Sequence, residues 1–321
     1  MNKKVVVFGG GRSLSILLRG LREFPIDLTV IVNVSDDGGS TGKLRSEFNI
    51  PAMGDIRGVM TSLSSREELI KELLEYRFHT TSDLNNHTVG NLILTAATDI
   101  TGSMSSAVKS LSDLFKLRGS ILPVTDDVVS LVARMTDGTK IEGEHHITEA
   151  HKTIEDIWYK SEPSINDEVL EVISSADLLI FGIGSLYTSI VPNILPKKVK
   201  KAVLDAKAKK MYICNAMTQY GETENFTVSD CVNVLNKYMG GNFLDVVVAS
   251  TTKIPEDVIS RYKGLERKST ILIDQLMIDN KAKKMPFELI QEDLLLITEE
   301  GLVEHDPLKT AFVIFSYMMK G

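Results

Sequence analysis

Runs of consecutive apolar residues recur along the chain, and each is followed by a turn of glycine and small polar residues. The clearest runs cover residues 5–8, 28–34 and 178–181. A continuous apolar run is typical of a strand buried on both faces, as in a parallel sheet. Four leucines recur at helical spacing after the first turn: Leu14, Leu17, Leu18 and Leu21. The pattern therefore predicts strands that alternate with helices.

The alternation continues beyond these segments. It predicts further helices at 67–78, 92–100, 107–117, 228–239, 255–264 and 307–319, and strands at 211–215 and 244–249. In helix 67–78 we expect Leu69, Leu73 and Phe78 to mark the buried face. Residues 128–144 differ, because their alternating side chains surround an Asp137-Gly138 turn signal and predict an antiparallel hairpin.

These elements indicate a doubly wound α/β fold with a mainly parallel sheet, an inserted β-hairpin at about 128–144 and extra helices. A composition of 43% hydrophobic and 25% charged residues fits a globular protein with a sizeable core. No Pro/Gly-rich linker divides residues 1–321, so we expect a single domain; a second, smaller lobe is the alternative.

Charge and composition narrow the classes of partner. A net charge of −7 excludes a nucleic-acid binder held by phosphate contacts over the whole fold. Two lysine clusters, at 197–201 and 281–284, lack interleaved aromatic residues, so we expect solvated faces there. No apolar run reaches the length of a membrane span, and the apolar strand that follows Lys3-Lys4 is too short for a signal peptide. We therefore expect a cytoplasmic protein.

The first glycine turn follows the first predicted strand and reads Gly9-Gly10-Gly11-Arg12-Ser13. Glycines let the backbone approach a ligand closely, and the first N–H groups of the next helix favour an anion. Leu14 occupies the third small position of the dinucleotide fingerprint, which weakens an NAD(P) interpretation. We therefore expect a phosphate-holding turn; a tight connection without a ligand is the alternative.

The second turn, after residues 28–34, begins with two acids. Asp36 and Asp37 are suited to a ribose hydroxyl or to Mg²⁺, and are the candidate metal ligands and, if the protein is an enzyme, catalytic residues. The segment Gly38-Gly39-Ser40-Thr41-Gly42 has the residues of an anion-binding nest. A plain surface loop rich in these residues is the alternative.

Two further loops open helices and carry candidate ligand-binding side chains. Asp55 is suited either to helix capping or to a site, and Arg57 to a bidentate phosphate contact. His87 and Asn91 lie four residues apart, so they share a face if the segment is helical. A lone histidine is usually structural, and that alternative stays open for His87.

The turn after 178–181 offers a second phosphate cradle. Its candidate residues are Gly184, Ser185, Leu186, Tyr187 and Thr188, with Ser189 beyond them. Asn215, Thr218 and Gln219 follow the next strand and are candidates for contacts with a base or sugar. Glycine turns in both halves of the chain are expected to face each other at a strand-order switch point, where a nucleotide carrying a second group would fit.

These motifs appear in an order that resembles the 2-phospho-L-lactate transferase-like (CofD-like) superfamily, most of all its bacterial gluconeogenesis-factor (YvcK-like) branch. The string Gly184-Ser185-Leu186-Tyr187-Thr188-Ser189 with Asn215-Ala216-Met217-Thr218-Gln219 carries most of the resemblance, which extends from residue 4 to residue 307. The resemblance implies a Rossmann-like core, commonly in a homodimer. In the transferase branch, Mg²⁺ and aspartates help to pass a phospholactyl group from a nucleotide diphosphate donor to an alcohol.

The bacterial branch implies a different activity: the binding of UDP-sugars in support of growth on gluconeogenic carbon sources and of cell shape. We therefore expect a UDP-sugar-binding protein, with a Mg²⁺-dependent transferase as the alternative and an NAD(P)-dependent oxidoreductase as a weaker one. The chain departs from the family at Arg12-Ser13, where Thr-Gly is usual, at Gly58, where Asn is frequent, and at Ile183, where Pro is common. These departures bear on donor identity and on catalysis more than on fold.

Overall fold

A computed structural model describes residues 2–64, 67–274 and 286–320 of the chain. Its strands are β1 (Lys3–Gly9), β2 (Ile26–Val32), β3 (Ser120–Pro123), β4 (Leu131–Met135), β5 (Lys140–Glu142), β6 (Ile154–Tyr159), β7 (Leu178–Phe181), β8 (Lys209–Ile213), β9 (Val246–Ser250), β10 (Glu288–Glu292), β11 (Leu295–Ile297) and β12 (Val303–His305).

The described helices flank these strands. They are α1 (Gly11–Leu21), α2 (Gly39–Phe48), α3 (Gly54–Leu63), α4 (Glu67–Glu75), α5 (Val89–Thr101), α6 (Met104–Phe115), α7 (Glu144–Glu149), α8 (Asp167–Ser175), α9 (Val191–Ile194), α10 (Lys197–Asp205), α11 (Val228–Met239), α12 (Glu256–Leu265) and α13 (Pro307–Lys320). A short π-helical turn, Leu186–Ile190, precedes α9.

Seven strands form one parallel sheet within the described residues, in the order β10-β9-β8-β7-β1-β2-β3. From β1 the chain adds β2 and β3 on one side, and it later adds β7 to β10 on the other. The order therefore reverses between β1 and β7, which opens a crevice at their carboxyl ends. The predicted doubly wound, mainly parallel α/β fold is confirmed.

The predicted hairpin is also confirmed, as β4 paired antiparallel with β5. The sequence analysis missed β6, which pairs antiparallel with the other edge of β4. It also extended the hairpin to Glu144, whereas this residue begins helix α7. This small sheet, with α7, lies at one side of the crevice, since Glu144 reaches the cleft described below.

Burial in the core decides which face of each helix is turned inward. All four leucines predicted to line the buried face of α1 are fully buried. The prediction for α4 is wrong, because Leu69 is 76% exposed and Leu73 is 43% exposed. The helix ends at Glu75, before Phe78, and turns Leu74 inward. The apolar spacing was compatible with two adjacent faces, and packing against α3 and α5 selects the one that contains Leu74.

Two other expectations concern the surface. Lys197 and Lys198, at the start of α10, are exposed, as a solvated face requires. The second lysine cluster, at 281–284, lies outside the described residues. Of the helices that the structure describes, none combines the length and the apolar character needed to cross a membrane.

Candidate functional site

The glycine turns that follow β1 and β7 meet at the reversal of strand order. Gly184 has a φ of +159°, and a Cβ placed on it would lie 2.8 Å from the carbonyl oxygen of Gly10. Only glycine allows this approach without displacing the first turn. The predicted encounter of these two turns is therefore present, and a cleft opens above it.

The cleft has two connected compartments. The inner pocket, about 250 Å³, lies between the two glycine turns and reaches Glu144 and Thr148 of α7. The outer pocket, about 280 Å³, extends past the end of β8 to β12. Both compartments are lined by Arg12, Ser13, Gly184, Ser185 and Gln219. One elongated ligand can therefore occupy both.

Three carboxyl groups line the inner pocket: Asp36, Asp55 and Glu144. Burial raises the pKa of Asp36, and the adjacent Asp37 adds to the rise. Burial and the charge of Asp36 raise the pKa of Asp55 to about 6. The same two causes raise the pKa of Glu144 to about 8. Like charges gathered in one pocket resist ionisation together, so the inner pocket favours a cation or protons beside these groups.

Ser185 is held in the cleft by a buried carboxyl group. Its Oγ donates to Oε2 of Glu222 at 2.5 Å, and it accepts from Oγ1 of Thr188 at 2.7 Å. The other carboxyl oxygen of Glu222 accepts from Nε2 of Gln219. Glu222 is only 3% exposed, and burial raises its pKa to about 7. This network fixes three side chains that face the cleft.

Asp55 occupies part of the space that the first glycine turn leaves open. A Cβ on Gly10 would overlap Oδ2 of Asp55. The backbone N–H of Gly11, at the start of α1, faces this carboxyl group and partly offsets the rise in its pKa. One N–H predicted to face a phosphate therefore faces Asp55, while Gly10, Gly11, Arg12 and Ser13 all line the inner pocket. Gly9 ends β1 and lies against Leu14 rather than in the cleft.

The two acids after β2 point in different directions. Asp36 faces the inner pocket, and its Oδ1 accepts from the N–H of Gly38 at 2.9 Å. Asp37 turns to the start of α7, where its Oδ1 accepts from the N–H of His145 at 2.9 Å. An acceptor at a helix N-terminus is the geometry of a cap. Asp37 therefore anchors α7, and Asp36 is the member of the predicted pair that reaches the cleft.

Arg45 holds the loop that carries Asp36. It is 7% exposed, and its guanidinium donates to the carbonyl oxygens of Ser35, Asp36 and Val129. The last of these contacts joins the loop to the segment before β4. Burial lowers the pKa of Arg45, while Asp37 and Asp36 oppose that change. Arg45 thus fixes the loop and adds a positive charge behind the carboxyl groups.

The His87 and Asn91 candidates form a layer behind the cleft. Nδ1 of His87 lies 3.0 Å from Oγ of Ser40, and Nδ2 of Asn91 donates to the same oxygen at 3.2 Å. Thr41, beside them, accepts from Asn91 at 3.5 Å and hydrogen-bonds Asp36. None of His87, Asn91 and Ser40 lines the cleft, so their geometry is that of support for the Asp36 loop.

The glycines of that loop lie outside the cleft as well. Gly38 is the N-cap of α2, and Gly39 is exposed with a φ of +49°. A Cβ on Gly38 would lie 3.2 Å from Nδ1 of His145. The turns after β1 and β7 therefore meet at the cleft, whereas the segment after β2 contributes Asn33 and Asp36 and none of its glycines.

The outer pocket contains Asn215, Thr218 and residues that the sequence analysis did not select. Asn215 is bonded to the backbone of Gly184, since its Oδ1 accepts from the N–H at 3.3 Å and its Nδ2 donates to the carbonyl at 2.6 Å. Oγ1 of Thr218 accepts from the N–H of Ser269. Both side chains thus shape the wall of the pocket. His305, 5% exposed, also lines it, and burial lowers its pKa to about 4, which keeps the ring neutral.

Three candidates lie elsewhere. Leu186 and Tyr187 are buried in the core, at 1% and 5% exposure, and burial raises the pKa of Tyr187 to about 12. Arg57 lies on the far side of Asp55, in a separate pocket. Thr188, by contrast, lines the inner pocket as expected.

The donor set of the inner pocket is compatible with Mg²⁺. No group of three or more His, Cys, Asp or Glu side chains is arranged around a common metal position in residues 2–64, 67–274 and 286–320. Mg²⁺, however, usually takes one or two protein carboxylates together with substrate phosphates. Asp36 and Asp55 provide two such carboxylates in one pocket. A magnesium ion that arrives with a diphosphate fits this donor set.

Sequence reasoning missed Glu144, Thr148, Glu222 and Asn33. Glu144 and Thr148 lie at i and i+4 of α7, a spacing that would have placed them on one face had the helix been recognised. Asn33 directly follows β2, and its Nδ2 donates to the carbonyl oxygen of Thr188 at 3.1 Å. Glu222 lies in a loop without periodicity, where no local signal marks a buried carboxyl group.

Comparison with known proteins connects this geometry to a family. A family model described as 2-phospho-L-lactate transferase CofD matches residues 5–295. The chain is 42% identical over 312 residues to a Bacillus subtilis (strain 168) protein named gluconeogenesis factor, which covers 97% of this chain and 96% of that protein. It is 41% identical over 314 residues to a Thermotoga maritima protein named putative gluconeogenesis factor, with coverages of 97% and 98%. A crystal structure of a Bacillus halodurans protein matches with a TM-score of 0.93 at 36% identity, over 98% of this chain and 100% of that chain.

Proposed function

The chain belongs to the CofD family, and we propose that it is a cytoplasmic protein that binds a UDP-sugar in its cleft and supports carbon metabolism and cell-shape control. The observation that carries the proposal is the meeting of two glycine turns at the reversal of strand order. Crevices of this kind, at the carboxyl ends of parallel strands, are where α/β folds bind nucleotides. The proposal includes a homodimer, as the family resemblance implies.

The inner pocket supplies contacts for a diphosphate. The hydroxyls of Ser13, Ser185 and Thr188 line it, with Arg12 at its edge. The side chain of Arg12 is 69% exposed and pairs with Glu304 at 2.8 Å. An exposed guanidinium can turn towards an anion at little cost, because such surface pairs contribute only about 0–1 kcal/mol.

The outer pocket suits the nucleoside or the sugar. Its wall includes Gln219, Lys268 and the neutral ring of His305. A neutral histidine has one donor and one acceptor nitrogen, and an amide has both kinds of group, which matches the edge of a uracil or the hydroxyls of a sugar. The elongated shape of the cleft favours a diphosphate with a group at each end.

Calorimetric titration tests the proposal with UDP-glucose and UDP-N-acetylglucosamine, each with and without Mg²⁺. We expect saturable binding, and we expect Thr188→Val, which removes an inner-pocket hydroxyl at constant shape, to weaken it about fivefold or more. Thr98→Val is the matched control, because Thr98 is a buried threonine of α5 outside the cleft. Absence of heat for every nucleotide diphosphate under both conditions contradicts the proposal.

A second candidate is a Mg²⁺-dependent transferase that moves a phosphoester group from a nucleotide diphosphate donor to an alcohol. The observation that favours it is the group of carboxyls at Asp36, Asp55 and Glu144 in the inner pocket. Asp36 and Asp55 would hold the ion, whose charge would offset negative charge on the transferred phosphoryl group. Glu144, with its raised pKa, is placed to exchange a proton near pH 8.

Turnover separates this candidate from a binding protein. A transferase releases a nucleotide from a nucleotide-activated phosphoester when an alcohol and Mg²⁺ are present. Asp36→Asn should then abolish release while the far-ultraviolet circular dichroism is retained, whereas Asp37→Asn, at the α7 cap, should reduce stability more than turnover. No release by the wild-type protein eliminates the transferase and leaves the binding proposal intact.

A further inference from the structure

A second cavity, about 470 Å³ in volume, lies between α1, α3 and α4, behind Asp55 as seen from the cleft. We call it the basic pocket. Its charged lining residues are Arg12, Arg19, Arg57, Lys71, Asp55 and Glu75. Four cationic side chains thus face two acidic ones, and the sequence analysis assigned Arg12 and Arg57 among them to an anion.

The central observation is the environment of the Arg57 guanidinium. Its Nε is buried without a hydrogen-bond partner among the described residues. Burial lowers the pKa of this guanidinium, and Glu75 and Asp55 attract it only from a distance. A buried N–H donor without a partner is unfavourable, because it loses its hydrogen bonds to water and gains none in return. An anion in the pocket would remove this cost.

The position of Arg57 is built into the fold. Its aliphatic stem crosses the start of α5, where a Cβ on Gly90 would lie 2.7 Å from Cδ of Arg57. Glycine at this position therefore leaves room for the side chain of Arg57. Arg19 and Lys71, from α1 and α4, line the same cavity, and neither forms an ion pair with the residues that the structure describes. Three cationic side chains can therefore contact one anionic ligand.

The basic pocket and the cleft are separated by Asp55. Its carboxyl group lies beside Gly10, faces the N–H of Gly11 and lines both the inner pocket and the basic pocket. Arg57, Arg19 and Lys71 line the basic pocket and do not line the inner or the outer pocket. A nucleotide diphosphate in the cleft therefore leaves these cations without a partner.

The lining also limits the class of ligand. Among the residues that the structure describes, no aromatic or large aliphatic side chain lines the basic pocket, whereas Ser15, Thr61 and Ser62 add hydroxyl groups. Such walls do not suit a nucleobase or an acyl chain, which bind against apolar surfaces. They suit a dianionic phosphoryl group with a hydroxyl-rich body, because arginine binds phosphate oxygens bidentately.

We propose that the basic pocket is a second ligand site, which binds the phosphoryl group of a small phosphorylated metabolite such as a sugar phosphate. The inference goes beyond the proposed function, and it does not depend on whether the cleft binds UDP-sugars. It identifies Arg57 as the main contact, with Arg19 and Lys71 beside it.

Calorimetry on the full chain in low-salt buffer tests the inference with inorganic phosphate, glucose 6-phosphate and glucose. We expect both phosphates to bind wild type and glucose not to bind. Arg57→Gln should weaken phosphate binding about tenfold or more. Arg118→Gln is the matched control, because it makes the same charge change at an exposed arginine outside the pocket and should leave the affinity unchanged. Lys71→Gln, on the surface helix α4, should weaken binding to a smaller degree.

The outcomes separate this site from the cleft and identify the source of the phosphoryl group. UDP-glucose should bind Arg57→Gln within about twofold of wild type, and should still bind wild type saturated with phosphate. Equal phosphate affinity in Arg57→Gln and wild type, or exclusion of phosphate by UDP-glucose, overturns the inference. Tighter binding of glucose 6-phosphate than of phosphate supports a metabolite, and equal affinities contradict that part. Arg57-dependent phosphate binding without any nucleotide binding supports the second site and contradicts the proposed function instead.

Discussion

Replacing Glu222 with glutamine is expected to remove the contribution of this residue to the pH dependence of the protein's stability. Glu222 is 3% exposed, and burial raises its pKa from the ordinary 4.5 to about 7. The folded state therefore holds this proton more tightly than the unfolded state does. Its stabilising contribution is fully present below pH 4.5 and is lost as the pH rises through 7.

The magnitude follows from the shift in pKa. A difference of about 2.5 pKa units between the folded and unfolded states corresponds to about 3 kcal/mol in total. Between pH 5 and pH 8 wild type should lose about 2–3 kcal/mol of unfolding free energy from this group alone. Glutamine cannot ionise and keeps an acceptor for Gln219, so Glu222→Gln should be more stable than wild type at pH 8 by a similar amount.

Urea unfolding at pH 5 and pH 8, followed by circular dichroism, measures this difference. Glu224→Gln is the matched control, since Glu224 is exposed and lies two residues away in the same loop. The control should show the same loss between pH 5 and pH 8 as wild type. If Glu222→Gln also loses as much stability as wild type, Glu222 ionises near its ordinary pKa and our account of the Ser185 network is wrong.

Three further predictions concern the cleft and its supports. Gly184→Ala should weaken UDP-glucose binding about tenfold or more, because the added Cβ would press on the carbonyl oxygen of Gly10. Gly241→Ala is the calorimetric control, since Gly241 has a similar φ of +157° and open space around it. With EDTA present, UDP-glucose should bind wild type about fivefold more tightly at pH 5.5 than at pH 7.5, because Asp55 loses its proton between these values. Asp55→Asn should reduce this ratio of affinities, and an unchanged ratio contradicts the placement of Asp55 in the inner pocket. Arg45→Lys should lower the free energy of unfolding by about 2–3 kcal/mol in urea, because lysine cannot reach Ser35, Asp36 and Val129 together; a loss below about 0.5 kcal/mol excludes Arg45 as the support of that loop.

The fold was predictable where local pattern and tertiary packing agree. The apolar runs at β1, β2 and β7 are buried on both faces, so each one reads as a parallel strand from sequence alone. Helix α11 begins and ends at the predicted residues, because a Thr227–Asp230 capping box starts it and Gly240 ends it. Strand β6 was missed, since its pairing with β4 is a long-range contact without a local turn signal.

The sequence predicted those parts of the site that backbone turns form. Gly10, Gly11 and Gly184 line the cleft because strand ends and glycine turns are local features of the sequence. The direction in which a side chain points, by contrast, depends on contacts with distant segments of the chain. Asp36 and Asp37 look equivalent in the sequence, yet only Asp37 binds the start of α7, at the N–H of a residue 108 positions further along the chain.

Arg57 shows the same limit. In the sequence it stands two residues from Asp55, and both residues are candidates for ligand contacts. On α3 the two side chains diverge, so that Asp55 lies between the inner pocket and the basic pocket while Arg57 reaches only the latter. His87 and Asn91 lie four residues apart as predicted, but the face they share turns towards Ser40 and away from the cleft.

The crystal structure of the protein with UDP-glucose tests the central claim most directly. Our account places the diphosphate between the turn at Gly10–Ser13 and the turn at Gly184–Thr188, within hydrogen-bonding distance of Ser185. A diphosphate bound at any other surface, with the space between these two turns left to solvent, would contradict it.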